Sequence, residues 1–321
     1  MTAQRIRTIA LAIALFFCMA CATKSEIANI EAFAQAGGQY TDAVNGLLEK
    51  AGQTLVDASS NKALKNRDDL IGAGVTFDQS LQNNLKDNLD ANNQTMHDQL
   101  NEFFLISRQV ELLGQYFQGL GALAQSRAPD RVSRQLGDSV DGLNALSSAI
   151  KDKPLFRNPG AVSGIFQDVG NLVVSGIQSG ILKKRLEKDK DHIDAVIIIL
   201  HELLSAIKKA LENEREFANA RQLETLVVEP FITEGALSSP PERQQWKDNR
   251  FLLLSKPPLD RELKNAIDAS LALRQAWVSV LSNKLGPADL LDFSARTQSL
   301  MANIEALRSP QPPPPDRAPP D

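Results

Sequence analysis

Aromatic residues make up only 5% of the 321-residue chain, and there are just two cysteines, at positions 18 and 21. With no cysteine beyond residue 21, no disulfide framework can staple the body of the protein, so packing alone must hold it. Three histidines, at 97, 192 and 201, complete no standard metal-ligand spacing. The stretch His201-Glu-Leu-Leu-Ser205 begins like a zinc-protease HExxH, but Ser205 stands where the second ligand is required. No serine sits in a G-x-S-x-G turn, and neither Gly72/Gly74 nor Gly119/Gly121 has the strand-then-helix context of a phosphate loop. Nothing positive points to a catalytic, cofactor-binding or metal site. Neither sign of charge dominates: 35 Lys+Arg against 39 Asp+Glu give a formal net charge of −4, no electrostatic basis for binding nucleic acid. Period-two runs of β-branched and aromatic residues are also rare, which argues against a sheet protein.

What is abundant is Leu, Ala, Ile, Gln, Asn and Glu at helical spacing. Ile30, Phe33, Gly37, Tyr40, Val44, Leu47, Ala51, Leu55 and Ala58 advance in steps of three and four, one stripe along a long helix that Ser25 is placed to cap. A break is expected within 59–75. A second helix to about Ser126 carries Leu81, Leu85, Leu89, Met96, Leu100, Phe103, Val110 and Phe117. The ten Asn and Gln residues between 79 and 101 either set register in a coiled coil or form a wet face. Val132, Leu136, Val140, Leu143, Ser147 and Ile150 mark a third helix. A fourth follows Asn158-Pro159 and meets no further proline until Pro230. Its charged middle, Lys183–Asp194, reads as an exposed face laced by i,i+4 pairs such as Arg185–Asp189 and Lys190–Asp194. Val196–Leu200, apolar on all sides, implies burial all round.

The fold class expected is all-α, an elongated bundle of long antiparallel helices with coiled-coil-like packing over 21–229. Residues 230–258, with six prolines and glycines, read as an irregular connection containing a short element near Trp246–Leu254. A helical pair over 259–308 follows, its first face Leu263, Ile267, Leu271, Val278, Leu281 and Leu285, the two helices parted by Gly286-Pro287. The tail, SPQPPPPDRAPPD at 309–321, is expected to be a disordered, polyproline-type segment.

The N-terminus carries the strongest signal. Arg5 and Arg7 precede a charge-free run from Thr8 to Ala22. As a helix, its apolar part Ile9–Ala20 would rise about 18 Å, short of a ~30 Å hydrocarbon core. A basic start, short apolar middle and small residues at the end are the parts of a secretory signal. Ala20-Cys21-Ala22 has the small-x-small form of an ordinary cleavage site, which would release a soluble chain at Thr23. Cys18-Met19-Ala20-Cys21 resembles the lipobox of bacterial lipoproteins, with Cys18 where that family usually has an aliphatic residue. The resemblance covers the first 22 residues or so and implies cleavage before Cys21, its acylation, and a palmitate-type membrane tether. Ala22, rather than Asp, following the cysteine implies the outer membrane, with the body facing the periplasm.

From these features the expected role is that of a non-enzymatic, lipid-anchored scaffold or interaction protein, binding an unnamed protein or a second copy of itself. The alternative is a membrane-active, pore-forming-like protein acting through Ala161–Leu182. That segment has one charge, Asp168, and Gly164, Gly176 and Gly180 are placed for close helix–helix contact.

Overall fold

The computed structural model describes the backbone of residues 2–72, 78–125, 129–151, 174, 180–255 and 259–308, with side chains from residue 27 onward except 151, 213–219, 252, 255 and 306–308. It is all-α. The elements are α1 (Thr2–Gly72), α2 (Gln79–Gln125), α3 (Pro129–Lys151), α4 (Gly180–Leu223), a π-helical turn (Glu224–Val228), α5 (Glu229–Ile232), α6 (Pro240–Ser255), α7 (Leu259–Leu281) and α8 (Pro287–Arg308). Helix α1 begins at Thr2 rather than near Ser25, because no Gly or Pro interrupts the chain before Gly37. The tail and most of the Gly-rich stretch 161–182 lie outside the described residues.

The chain divides into two compact units. Unit 1 holds Met1–Asn45, Ile106–Leu203 and Asn265–Met301; unit 2 holds Gly46–Leu105, Leu204–Lys264 and Ala302–Asp321.

In unit 1, α1 and α2 pack antiparallel: Phe33 meets Phe117, Thr41 meets Gly114, and the Ser107 hydroxyl donates to Asn45 Oδ1 at 2.8 Å. The close approach depends on missing side chains. A Cβ at Gly37 would stand 2.7 Å from the Phe117 ring, and one at Gly114 would stand 2.6 Å from Thr41 Oγ1. A cluster of aromatic rings fills the core here. Phe33 touches Phe117 edge-on at 5.5 Å, stacks on Trp277 at 6.1 Å and meets Phe293 at 6.2 Å. Tyr116 packs edge-on against Phe117 and Trp277, at 6.0 and 6.3 Å. All of these rings are fully buried, a large apolar payload for so few residues.

Unit 2 is wetter. Its part of α2 exposes the Asn/Gln run, where amides bond along the helix (Asn88 to Asn84 at 2.7 Å, Gln94 to Asp98 at 3.2 Å) and the Ser59 hydroxyl of α1 reaches across to Asn92. The amides form the wet face. Leu89 and Leu100, expected on the buried stripe, are 49% and 37% exposed, so that stripe is narrower than its periodicity implied.

The face of α7 is also turned from expectation. Leu263, Ala266, Ala269, Ser270, Leu273, Trp277 and Val280 are buried, while Ile267, Leu271 and Val278 are half-buried. Small residues let α7 approach its neighbours on the Ala266–Ser270 side, and that side carries Trp277 inward.

Candidate functional site

Two features go beyond ordinary helix packing, one in each unit. The first is a polar seam on the core face of α4 in unit 1. Burial along α4 follows the helical period through Leu182, Arg185, Leu186, Asp189, Lys190, Ile193, Asp194, Ile197, Leu200, His201 and Leu204. The charged middle expected to face solvent therefore has its main pairs inside, and only Lys183, Lys184, Glu187, Lys188, Asp191 and His192 point outward. Of Val196–Leu200, Ile198 and Ile199 are half-buried, so burial there is one-sided.

The Arg185 guanidinium forks onto both oxygens of Asp189, the two side chains being 6% and 0% exposed. A third arm reaches the Ser133 carbonyl of α3 at 3.2 Å, passing over Gly137, which leaves room for it. Burial pushes the Asp189 carboxyl above its ordinary range against the pull of Arg185. The Tyr116 hydroxyl beside it is also pushed up, first by burial and then by the Asp189 charge, and makes no hydrogen bond of ordinary geometry. One turn on, Arg274 of α7 donates to Asp194 through Nε at 2.8 Å and Nη2 at 3.0 Å, a bidentate bridge between helices. The Lys190 ammonium donates to Glu187 at 3.1 Å, and with the Val174 N–H this holds the Glu187 carboxyl low.

His201, the first residue of the HExxH-like stretch, is 7% exposed. Its Nδ1 lies 2.9 Å from the Ser270 hydroxyl, whose oxygen is also 2.6 Å from the Ile267 carbonyl. Which of the two side chains donates follows the tautomer of the ring, which also bonds the Ile267 backbone. Burial lowers its pKa and keeps it neutral. Tyr40 from α1 closes the group, donating to the Ala266 carbonyl at 3.1 Å. Ser and His are within reach as in a nucleophile–base pair, but Ser270 is 1% exposed and a backbone carbonyl competes for its proton. The seam specifies which face of α4 goes inward. Among the described residues no group of three or more His, Cys, Asp or Glu is placed to hold a metal.

The second feature is a shelf in unit 2, within the stretch expected to be irregular. Pro230 lacks an N–H, and its ring would clash with the carbonyl four residues back; the preceding turn widens to the π form, Glu229 N–H bonding Glu224 O. The helix thus continues through Pro230 to Ile232 instead of stopping there. A turn with Gly235 at φ 82° follows. Ser239 and Glu242 then form a capping box, Ser239 N–H to Glu242 at 2.9 Å and Glu242 N–H to the Ser239 hydroxyl at 3.4 Å, with Pro240 opening α6. The signal S-P-P-E was present in the sequence, hidden by its prolines, which look like breakers but sit where helices accept them.

On this frame the Trp246 indole donates to the Val227 carbonyl at 2.9 Å and stacks on Phe231 at 5.5 Å. The Arg250 guanidinium lies 5.9 Å from the centre of the indole ring. Trp246, Lys247, Arg250, Phe251 and Leu254 line an open groove of about 330 Å³. Phe231, Ile232 and Leu254 are 67%, 71% and 64% exposed, and Phe251, Leu223 and Leu226 add to the same stretch of chain. Lys247 and Arg250 give the groove its positive charge; of the nearby acids, Glu242, one turn before Trp246, is bonded to Ser238 and Ser239, and Asp248 accepts from Gln244.

Of the residues expected to matter from sequence, Cys21 lies within α1, its side chain outside the described residues, as are Gly164 and Gly176. Gly180 is the first residue of α4, where an added Cβ would meet nothing within 4 Å among the described residues. Among the described residues no helix is long and apolar enough to cross a membrane. No protein-family model, curated protein or solved structure matches the chain.

Proposed function

We propose that the chain is a non-enzymatic, lipid-anchored helical scaffold or interaction protein of a bacterial cell envelope, tethered through Cys21 to the outer membrane and facing the periplasm. The observation that carries the tether is the sequence itself: Arg5 and Arg7, a charge-free run too short to span, and a cysteine preceded by a small residue at its end. Two or three acyl chains at about 0.8 kcal/mol per buried methylene hold firmly. Support for an interaction role comes from unit 2, where one stretch presents Phe231, Ile232, Phe251 and Leu254 to solvent around a stacked Trp. A contiguous aromatic and aliphatic surface with Arg beside it has the make-up of an interface core. The buried charged groups of α4, Arg185, Asp189 and Asp194, are engaged with partners inside unit 1, which fits an architectural role for them.

Metabolic labelling with an alkyne fatty acid tests the tether. Wild type and Cys18→Leu take the label, and Cys21→Ser does not; an unlabelled wild type places the cut after Ala22 and removes the anchor. Crosslinking in cells followed by mass spectrometry tests the interaction role. A specific partner lost on Ile232→Asp is expected, and recovery of no specific partner counts against a scaffold.

A further inference from the structure

The groove on α6 and the end of α8 from which the proline-rich tail continues belong to the same compact unit, and the chemistries of groove and tail match. The tail has seven prolines in thirteen residues, 309–321, with Asp316 and Asp321 against the single Arg317. The groove offers a tryptophan face, Phe251 and Leu254 between Lys247 and Arg250. Proline-rich segments bind aromatic-lined grooves because the polyproline helix is pre-formed, so little chain entropy is lost on docking.

The root of the tail is fixed near the groove. Near the end of α8, Asn303 donates to Glu262 in the first turn of α7 at 2.9 Å. Helix α7 starts at Leu259, four residues past the end of α6 at Ser255. Four Cα steps span at most about 14 Å. From Arg308 a polyproline segment of this length reaches roughly 40 Å, which exceeds the sum of about 7.5 Å back to Asn303, the side-chain contact to Glu262 and about 18 Å on to Ser255, and so meets the Leu254 end of the groove.

We propose that the tail 309–321 docks in cis on the Trp246–Phe251–Leu254 groove, its prolines against the indole and Phe251 and its acidic residues toward Lys247 and Arg250. This assignment is independent of how the N-terminus is processed. It makes the shelf a covered surface in the resting chain, opened when another ligand takes either the tail or the groove.

Fluorescence reads this directly, because the only other tryptophan, Trp277, is fully buried. The full chain is compared with a full-length variant carrying Gly at Pro312, Pro313, Pro314 and Pro315. A short tether supplies a millimolar effective concentration, so a segment binding at about 0.1 mM covers the groove roughly 90% of the time. The open fraction then rises about ten-fold in the glycine variant, seen as greater acrylamide quenching that Trp246→Phe removes. A synthetic peptide of residues 309–321 added to the glycine variant restores protection, half-saturating below about 1 mM, and Phe251→Ser or Arg250→Gln in that background weakens it. Equal quenching with and without the prolines overturns the proposal, as does half-saturation above about 10 mM. Protection that varies with protein concentration assigns the groove to a second copy instead. Vesicles of phosphatidylglycerol protecting Trp246 equally in both chains assign it to a bilayer, which also overturns it.

Discussion

Replacing Asp194 with Ala is the sharpest test of the inward charged face of α4. Asp194 and Arg274 are joined by two hydrogen bonds, 2.8 and 3.0 Å, with side chains only 6% and 11% exposed. Removing the carboxylate leaves the guanidinium held between α4 and α7 without its bidentate counter-charge. Breaking a buried pair from one side costs about 3–5 kcal/mol, whereas exchanging both partners for apolar residues of similar size is near neutral or stabilising by about 1–4 kcal/mol. Asp194→Ala is therefore expected to lose at least about 3 kcal/mol, and Asp194→Leu with Arg274→Met to recover most of it. The surface pair Lys208–Glu212, whose side chains are 28% and 45% exposed, is the reference: Lys208→Ala costs less than about 1 kcal/mol. Urea unfolding followed by far-ultraviolet circular dichroism reads the helices of both units, so both substitutions are seen, with midpoint shifts compared at constant slope. High salt should screen the Lys208 effect and leave the Asp194 effect nearly intact. If Asp194→Ala costs no more than Lys208→Ala, the α4 charges are solvated and the seam does not exist.

Burial lowers the pKa of His201, with Ser270, the Ile267 carbonyl, Glu202 and Asp268 around it. Its stabilising contribution is complete above the unfolded value of about 6.5 and is lost as pH falls toward the folded value. Unfolding midpoints taken above and below pH 6.5 should therefore diverge less in His201→Gln than in wild type; an unchanged pH slope would show the ring to be solvated. The adjacent glycines of α1 should respond with opposite signs. Gly37→Ala drives a methyl to 2.7 Å from the Phe117 ring and is expected to cost about 1–3 kcal/mol. Gly38→Ala meets nothing within 4 Å and should gain about 0.5–1 kcal/mol, both read by thermal melts.

Much of the fold was legible in the chain because helical stripes are local. Every position of the α1 stripe from Ile30 to Ala58 is buried, and so are Leu136, Val140, Leu143, Ser147 and Ile150 of α3. What misled was composition taken without phase. Lys183–Asp194 is rich in charge, so it looked solvated, yet Arg185, Asp189, Lys190 and Asp194 share the period of Leu182, Leu186, Ile193 and Ile197. Phase, not polarity, put them inside. Pro230, Pro240 and Pro241 looked like breakers of structure, but a π turn accommodates the first and an N-terminal position the others. The groove was not legible at all, since the Phe231–Trp246 contact depends on the intervening turn through Gly235.

The inward charges of α4 also bear on how such a chain would cross a membrane before it folds. In the export proposed above, the unfolded stretch Leu182–Leu211 would present a translocation channel with the apolar segment Val196-Ile-Ile-Ile-Leu200 and more leucines beyond. Arg185, Asp189, Lys190 and Asp194 each add about 2.5–3.5 kcal/mol to the cost of leaving that channel sideways into lipid when they fall near the centre of the inserting stretch. Residues that tax the finished core would thus keep the helix from being mistaken for a stop-transfer sequence.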